Sequence, residues 1–141
     1  MSGFLLDTNV ISELVRRKPE PKVTAWVEAT DEILLHLSVL TLGEIRKGIL
    51  SVRDSSRRVA LGAWLDSDLV IRFAGRILAI DEAVAERWGQ LSAQAELRNS
   101  PLPVIDALLA ATALQHNLTL VTRNVRDVAA TGVPLFNPWS A

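Results

Sequence analysis

Cysteine is absent from this sequence, which excludes disulfides and thiolate metal sites and fits a reducing cytoplasm. The histidines are only His36 and His116, so there is no His/Cys cluster of the kind that zinc takes. No uninterrupted apolar run approaches the ~18 residues of a membrane helix. The N-terminus lacks the basic flank, long apolar core and cleavage site of a secretory signal. A cytoplasmic protein with no membrane segment is therefore expected. An excess of either charge is missing too. Fifteen Lys and Arg stand against sixteen Asp and Glu, for a net charge of −1. The molecule as a whole does not attract nucleic acid, and any such contact must come from local basic patches, with a metal offsetting acidic groups. No repeat, low-complexity tract or linker divides the chain. With 49% hydrophobic and 22% charged residues, the expectation is one domain over residues 1–141 with a real core.

Short apolar runs alternate with amphipathic ones. Phe4-Leu5-Leu6 enters Asp7, Thr8 and Asn9, then an amphipathic run over Val10 to Val15. A run of this kind fits a strand buried on both faces, with Asp7 at its carboxyl end, where open α/β sheets place ligand sites. Asp7 as a simple N-cap of the next helix is the competing reading. Further strands are expected at Ile33 to Ser38, Arg76 to Asp81, Thr119 to Thr122 and Val133 to Phe136, the last at an edge because of Pro134. Between them lie a small helix with Val23, Trp26 and Val27, a helix over Val39 to Leu50, and one from about Arg57 to Asp68. A longer helix carries Val84, Trp88, Leu91 and Ala95, and an apolar one runs from Val104 to Gln115. Asn117 can end that last helix in the left-handed conformation. This order argues for a mostly parallel sheet with helices on both faces.

Acidic residues stand out against that frame. Asp106 is the only Asp, Glu, Lys or Arg between Arg98 and Arg123, on a helix otherwise built of Val, Ile, Leu and Ala. A carboxylate there is costly unless it meets a cation or donors, although a first-turn acid also suits the helix dipole. Glu44 lies between Gly43 and Gly48, which lower helix propensity and point to close backbone approach or to room beside Glu44. It also reads as a surface glutamate beside Arg46 and Lys47. A third cluster, Thr122-Arg123-Asn124-Val125-Arg126-Asp127, follows the fourth strand. Three carboxylates converging from separate elements repel one another, and a hard divalent cation resolves that repulsion. Oxygen-only ligands suit Mg²⁺ or Mn²⁺, and metal-bound carboxylates with nearby cations point to phosphodiester chemistry.

These residues fall into segments that resemble the PIN-domain ribonucleases, and among them the VapC/FitB-like toxins of type II toxin–antitoxin systems. The segments are LLDTNVISEL, SVLTLGEIRKGI, PVIDALLAATA, LVTRNVRD and PLFNPW, in family order from end to end of the chain. The resemblance implies a three-layer α/β fold with a five-stranded sheet in order 3-2-1-4-5. It implies an endoribonuclease that hydrolyses RNA with Mg²⁺ or Mn²⁺ held by Asp7, Glu44 and Asp106, with Thr8 and Asn9 supporting. Many PIN domains have a fourth acid just after the fourth strand. That slot falls on Asn124 here, which leaves two alternatives: Asp127, three residues on, substitutes for it, or the site runs on three carboxylates and an amide. Val128 stands where such toxins often have an aromatic residue. The resemblance also implies a small VapB-like antitoxin that plugs the acidic groove with a basic side chain, and a homodimer is expected with it.

Other readings are weaker. A two-aspartate phosphatase wants an acid two residues after Asp7, and position 9 is Asn9. A receiver wants an acid pair near the first strand and a lysine near the fifth, and neither is present. A catalytically silent PIN scaffold need not keep three acids. Asp81 reads as an N-cap, His36 as a strand-face residue, and Trp26, Trp64 and Trp88 as core or interface. Arg123 and Arg126, with Thr122, flank the fourth strand's end and are the better phosphate candidates. Arg16, Arg17 and Lys18 read as a solvated loop, but one that lies one short helix from Asp7 and could hold phosphates.

Overall fold

A computed structural model describes residues 2–141. Strand β1 (Phe4–Leu6) is the centre of a wholly parallel five-stranded sheet in the order β3-β2-β1-β4-β5. Its neighbours are β2 (Leu35–Ser38) and β4 (Thr119–Val121), with β3 (Ile77–Leu78) and β5 (Leu135–Phe136) at the edges. Phe4 pairs in register with Leu35 on one side and Thr119 on the other.

Because strand side chains alternate, the central strands feed two cores. Leu6 and Val121 face one side, with Val10 and Ile11 of α1 (Thr8–Leu14), Val23 and Val27 of α2 (Pro21–Ala29), and Ile45 and Ile49 of α3 (Val39–Leu50). Leu5 and Leu120 face the other, with Val84 and Leu91 of α6 (Glu82–Leu97) and Leu109 and Ala110 of α7 (Val104–Gln115). The three expected layers are therefore present. Helix α7 is buried through its middle, at Ala107 and from Leu109 to Ala113, and Asn117 follows it at φ 55°. Asp81 caps α6 by accepting the Val84 N–H at 2.9 Å. Trp26 and Trp64 pack on the first core and Trp88 on the second, with Trp26 set edge-on to Phe4. All three are thus engaged within the chain.

Several boundaries differ from the expected ones, each for a local reason. Residues Glu32–Leu34 form a 3-10 turn, because Asp31 accepts the Ile33 N–H with its side chain and the Leu34 N–H with its carbonyl. Ile33 is consequently 70% exposed, and β2 starts only at Leu35. The third strand shrinks to Ile77–Leu78, since Asp81 already starts α6. The helix expected from about Arg57 to Asp68 begins earlier, as α4 (Ser55–Ala63), and continues through Trp64–Leu69 in wide i→i+5 turns into α5 (Val70–Arg72). Buried Phe73 anchors its far end. After β4, a one-turn α8 (Val125–Val128) fills what reads as loop, pinned by buried Val128.

Glu13 is a buried carboxylate at 4% exposure, and it organises the segment after α1. It accepts the Glu20 N–H at 2.9 Å and the Arg16 guanidinium at 3.1 Å. The bond from Glu20 N–H, then Arg16 and the charge of Arg123, hold its pKa below the ordinary 4.5 against the opposing effect of burial. The stabilisation is complete above pH 4.5 and is lost as pH falls through the lower folded value. Urea midpoints taken at neutral pH and in acid should therefore fall less in Glu13→Gln than in the parent. An unchanged acid limb would show that Glu13 contributes nothing to it.

Candidate active site

The carboxyl ends of β1 and β4 are adjacent, so the segments leaving them meet. Asp7 follows β1 directly and does two things. Its Oδ1 accepts the Thr8 N–H at 2.7 Å, capping α1, while its Oδ2 accepts the Thr122 hydroxyl at 2.8 Å. The N-cap reading of Asp7 thus holds for Oδ1, while Oδ2 is turned to the Thr122 hydroxyl at the end of β4. Thr122 is buried just past β4, and its Oγ1 also accepts the Asn124 N–H at 3.0 Å and the Asn9 amide at 3.3 Å. The Asn9 amide nitrogen lies 3.5 Å from Asp7 Oδ2, and the Asn9 Oδ1 accepts the Arg123 N–H at 3.5 Å. These bonds fix the direction of Asp7 from two neighbouring strands.

Glu44 comes in from α3. Thr8 Oγ1 donates to Glu44 Oε1 at 2.5 Å, and the same hydroxyl oxygen lies 3.4 Å from Oγ1 of buried Thr41. The positions Gly43 and Gly48 face open space, since a Cβ on either would meet nothing within 4 Å. Room beside Glu44, rather than close backbone approach, is thus what these glycines leave. A cleft of about 550 Å³ opens there, between Val39 and Gly43 of α3 and Ile105 of α7.

Asp106 is half-buried in the first turn of α7. Burial raises its pKa first, and the charges of Asp7, Asp127 and Glu44 add to the rise. Burial likewise raises Asp7 above 3.8, with Glu44 adding, in spite of the opposing bonds from Thr122 and Thr8. Asp7, Glu44, Asp106 and Asp127 therefore share one field, although they come from four elements. Among the described residues no Lys or Arg forms an ion pair with any of them. That uncompensated negative charge, carried on oxygen alone, fits a hard divalent cation. No three His, Asp or Glu side chains among the described residues already stand close enough together to hold one.

The fourth position that the resemblance implies has two candidates. Asn124 is exposed at the start of α8, and its side chain makes no capping bond. Asp127 is exposed in that helix's single turn, and its charge reaches Asp106. Arg126 is exposed and forms no ion pair among the described residues, while the Arg123 guanidinium stands over the Trp139 ring at 5.3 Å. Sequence reasoning misses three residues here. Thr41 is a small polar residue in an apolar helix. Glu13 shows itself only through Arg16 at i+3. Trp139 lies in the closing PLFNPW segment, without periodic context.

The PIN domain family model matches residues 4–131. The chain is 38% identical over 136 residues to toxin FitB of Neisseria gonorrhoeae, covering 96% of this chain and 98% of the relative. It is 34% identical over 136 residues to VapC ribonuclease Y4jK of Sinorhizobium fredii, covering 96% and 97%. The crystal structure of FitAcB from Neisseria gonorrhoeae superposes with a TM-score of 0.94 at 37% identity, covering 98% of this chain and 99% of that one.

Proposed function

The chain belongs to the PIN domain family, and from that premise we propose that it is a divalent-metal-dependent endoribonuclease, the toxin of a VapBC-type toxin–antitoxin module. Similarity to a FitB toxin and to a VapC ribonuclease over nearly the whole chain supports the class. The observation that carries the chemistry is the group of carboxylates brought from the end of β1 and from α3, α7 and α8 into one field, with no cation of the described residues paired to it.

Asp7 and Asp106 would hold Mg²⁺ or Mn²⁺ directly, and Glu44 partly through water. Bound there, such an ion supplies an activated water and neutralises charge on the phosphate. The residues of the chain do the positioning. Thr122 and Thr8 aim the two oxygens of Asp7, and the Thr8 hydroxyl orients Glu44, so both acids are set before any ligand arrives. The whole chain, residues 1–141, would be one such domain, acting in the cytoplasm as a homodimer. Exposed Val39 and Leu50 on α3 and Val59 on α4 are the apolar surface that pairing would cover.

The partner follows from the same charge. Without a metal, the carboxylate cluster is a socket for a guanidinium, so the antitoxin would seat an arginine there. One preparation in two states tests both parts. The chain expressed alone should cut total RNA in Mg²⁺ and not in excess EDTA, with discrete ends. The same chain copurified from its native operon should carry a small partner and be silent. Cleavage in EDTA by metal-free protein would falsify the metal reading, and an unrestrained complex would exclude the antitoxin.

A further inference from the structure

Resting on the ribonuclease reading above, we propose that Arg57, Arg16, Arg17, Lys18 and Arg123 form a phosphate track that holds single-stranded RNA beside the carboxylates. The chain as a whole carries a net charge of −1, yet these five exposed cations gather on one side of the site. Three adjoining clefts connect them. Arg16, Arg17, Lys18 and Arg57 line one of about 530 Å³. Arg16, Lys18, Arg123 and Trp139 are among the residues lining a second, of about 480 Å³. A third, of about 220 Å³, joins Arg16 and Arg57 to Thr8 and Glu44 of the site itself. Arg16 lines all three, so the band runs without a break into the catalytic region.

These cations are available. Among the described residues Arg17, Lys18, Arg57 and Arg123 form no ion pair, and Arg16, though paired with Glu13, keeps 63% of its side chain exposed. The acids facing the band are few. Glu13 is buried and already satisfied, Glu20 is the second, and Glu44 is the site carboxylate at the band's end.

The band is also held in place before binding. Glu13 ties Arg16 to the Glu20 N–H, closing the loop that presents Arg17 and Lys18, and Pro19 and Pro21 restrict that loop further. The Arg123 guanidinium lies over the Trp139 ring at 5.3 Å from its centre, and its backbone N–H is bonded to Asn9. A guanidinium over an aromatic ring is attracted by the ring's quadrupole and restrained there, and it still has N–H donors to offer phosphate oxygens. Order imposed in advance lowers the entropy lost on binding. Each nucleotide of a flexible single strand brings one negative charge, so a line of separated cations matches it better than it matches a compact anion.

The test uses the full chain silenced by Asp106→Asn and a labelled single-stranded oligoribonucleotide, with affinity measured across a salt series. Lys18→Gln and Arg57→Gln should each weaken binding several-fold and make the log–log salt slope shallower by about 0.7, the value of one phosphate contact on a single strand. Arg87→Gln, on α6 over the opposite core, should change neither. In the active chain the same two substitutions should lower kcat/KM on long RNA. Unchanged slopes, or no measurable binding of the oligonucleotide by the silenced parent, would overturn the track. So would loss of affinity for the copurified partner protein alone, which would make the band a protein-docking surface. Failure of the ribonuclease reading has a separate signature, since the unsubstituted chain would then cut no RNA with any divalent cation.

Discussion

Asp7→Asn and Asp106→Asn are each expected to lower the rate of RNA cleavage by about 10³-fold or more, with the double substitution losing little beyond either. Groups that act as one site are not additive, because removing the first already removes what the second supports. The change to asparagine keeps shape while removing charge. In Asp7→Asn the new amide carbonyl can still accept the Thr8 N–H, so the cap of α1 survives. Asp106 makes no side-chain cap bond, and its burial and the charges around it raise its pKa. A raised folded pKa means that the folded chain binds the proton more tightly than the unfolded chain. Ionisation at neutral pH is therefore a cost to the metal-free fold, one that asparagine removes. The melting temperature of metal-free Asp106→Asn should not fall below that of the parent, and activity should be lost with the fold intact. Single-turnover cleavage and thermal melts on the same preparations decide this. If the double variant loses the product of the two single effects, the two acids act independently and the shared site is wrong.

Which parts of the fold and of the candidate site are legible in the sequence is a matter of where their signals lie. Leu5 and Leu6, followed at once by Asp7, predict a buried strand with a carboxylate at its end, because only a sheet covered on both faces takes consecutive apolar residues in so short a run. Asp106 stands out for a similar reason, a lone charge in a helix whose other positions are apolar. The strand order came from the resemblance, since periodicity cannot say which strands adjoin. Where the reading slips, one side chain overrides a pattern. Asp31 bends the Ile33-Leu34 run into a turn, and Asp81 ends the third strand early by starting a helix. Glu13 is illegible because its main partner is a backbone N–H seven residues on. Its burial is a property of the folded loop, and the one local hint of it is Arg16 at i+3. The basic band is hidden for the same reason, since Arg57 and Arg123 join Arg16 only through the fold.

The fourth site position gives the last expectation. By the resemblance, Asn124 takes the slot where many PIN domains have an acid, and it offers a neutral oxygen. Asp127 lies three residues on, and its charge reaches Asp106 while no bond ties it to the other acids. Its exposure in a one-turn helix leaves it free to swing, which weakens it as a ligand compared with Asp7, whose oxygens are fixed by Thr8 and Thr122. Asp127→Asn should therefore cost cleavage about 10-fold to 100-fold, in the range of a supporting rather than a direct ligand, and less than Asp7→Asn. Asn124→Asp adds a charge to a field that already raises Asp7 and Asp106. It should tighten Mn²⁺ binding by about tenfold, because charge count sets affinity at hard oxygen sites. The added repulsion should also lower the melting temperature of the metal-free variant and restore it when metal is present. Calorimetric titration with Mn²⁺ and paired melts in EDTA and in metal measure both. Equal loss of activity in Asp127→Asn and Asp7→Asn would make Asp127 a full ligand. Unchanged metal affinity in Asn124→Asp would place position 124 outside the field of the site.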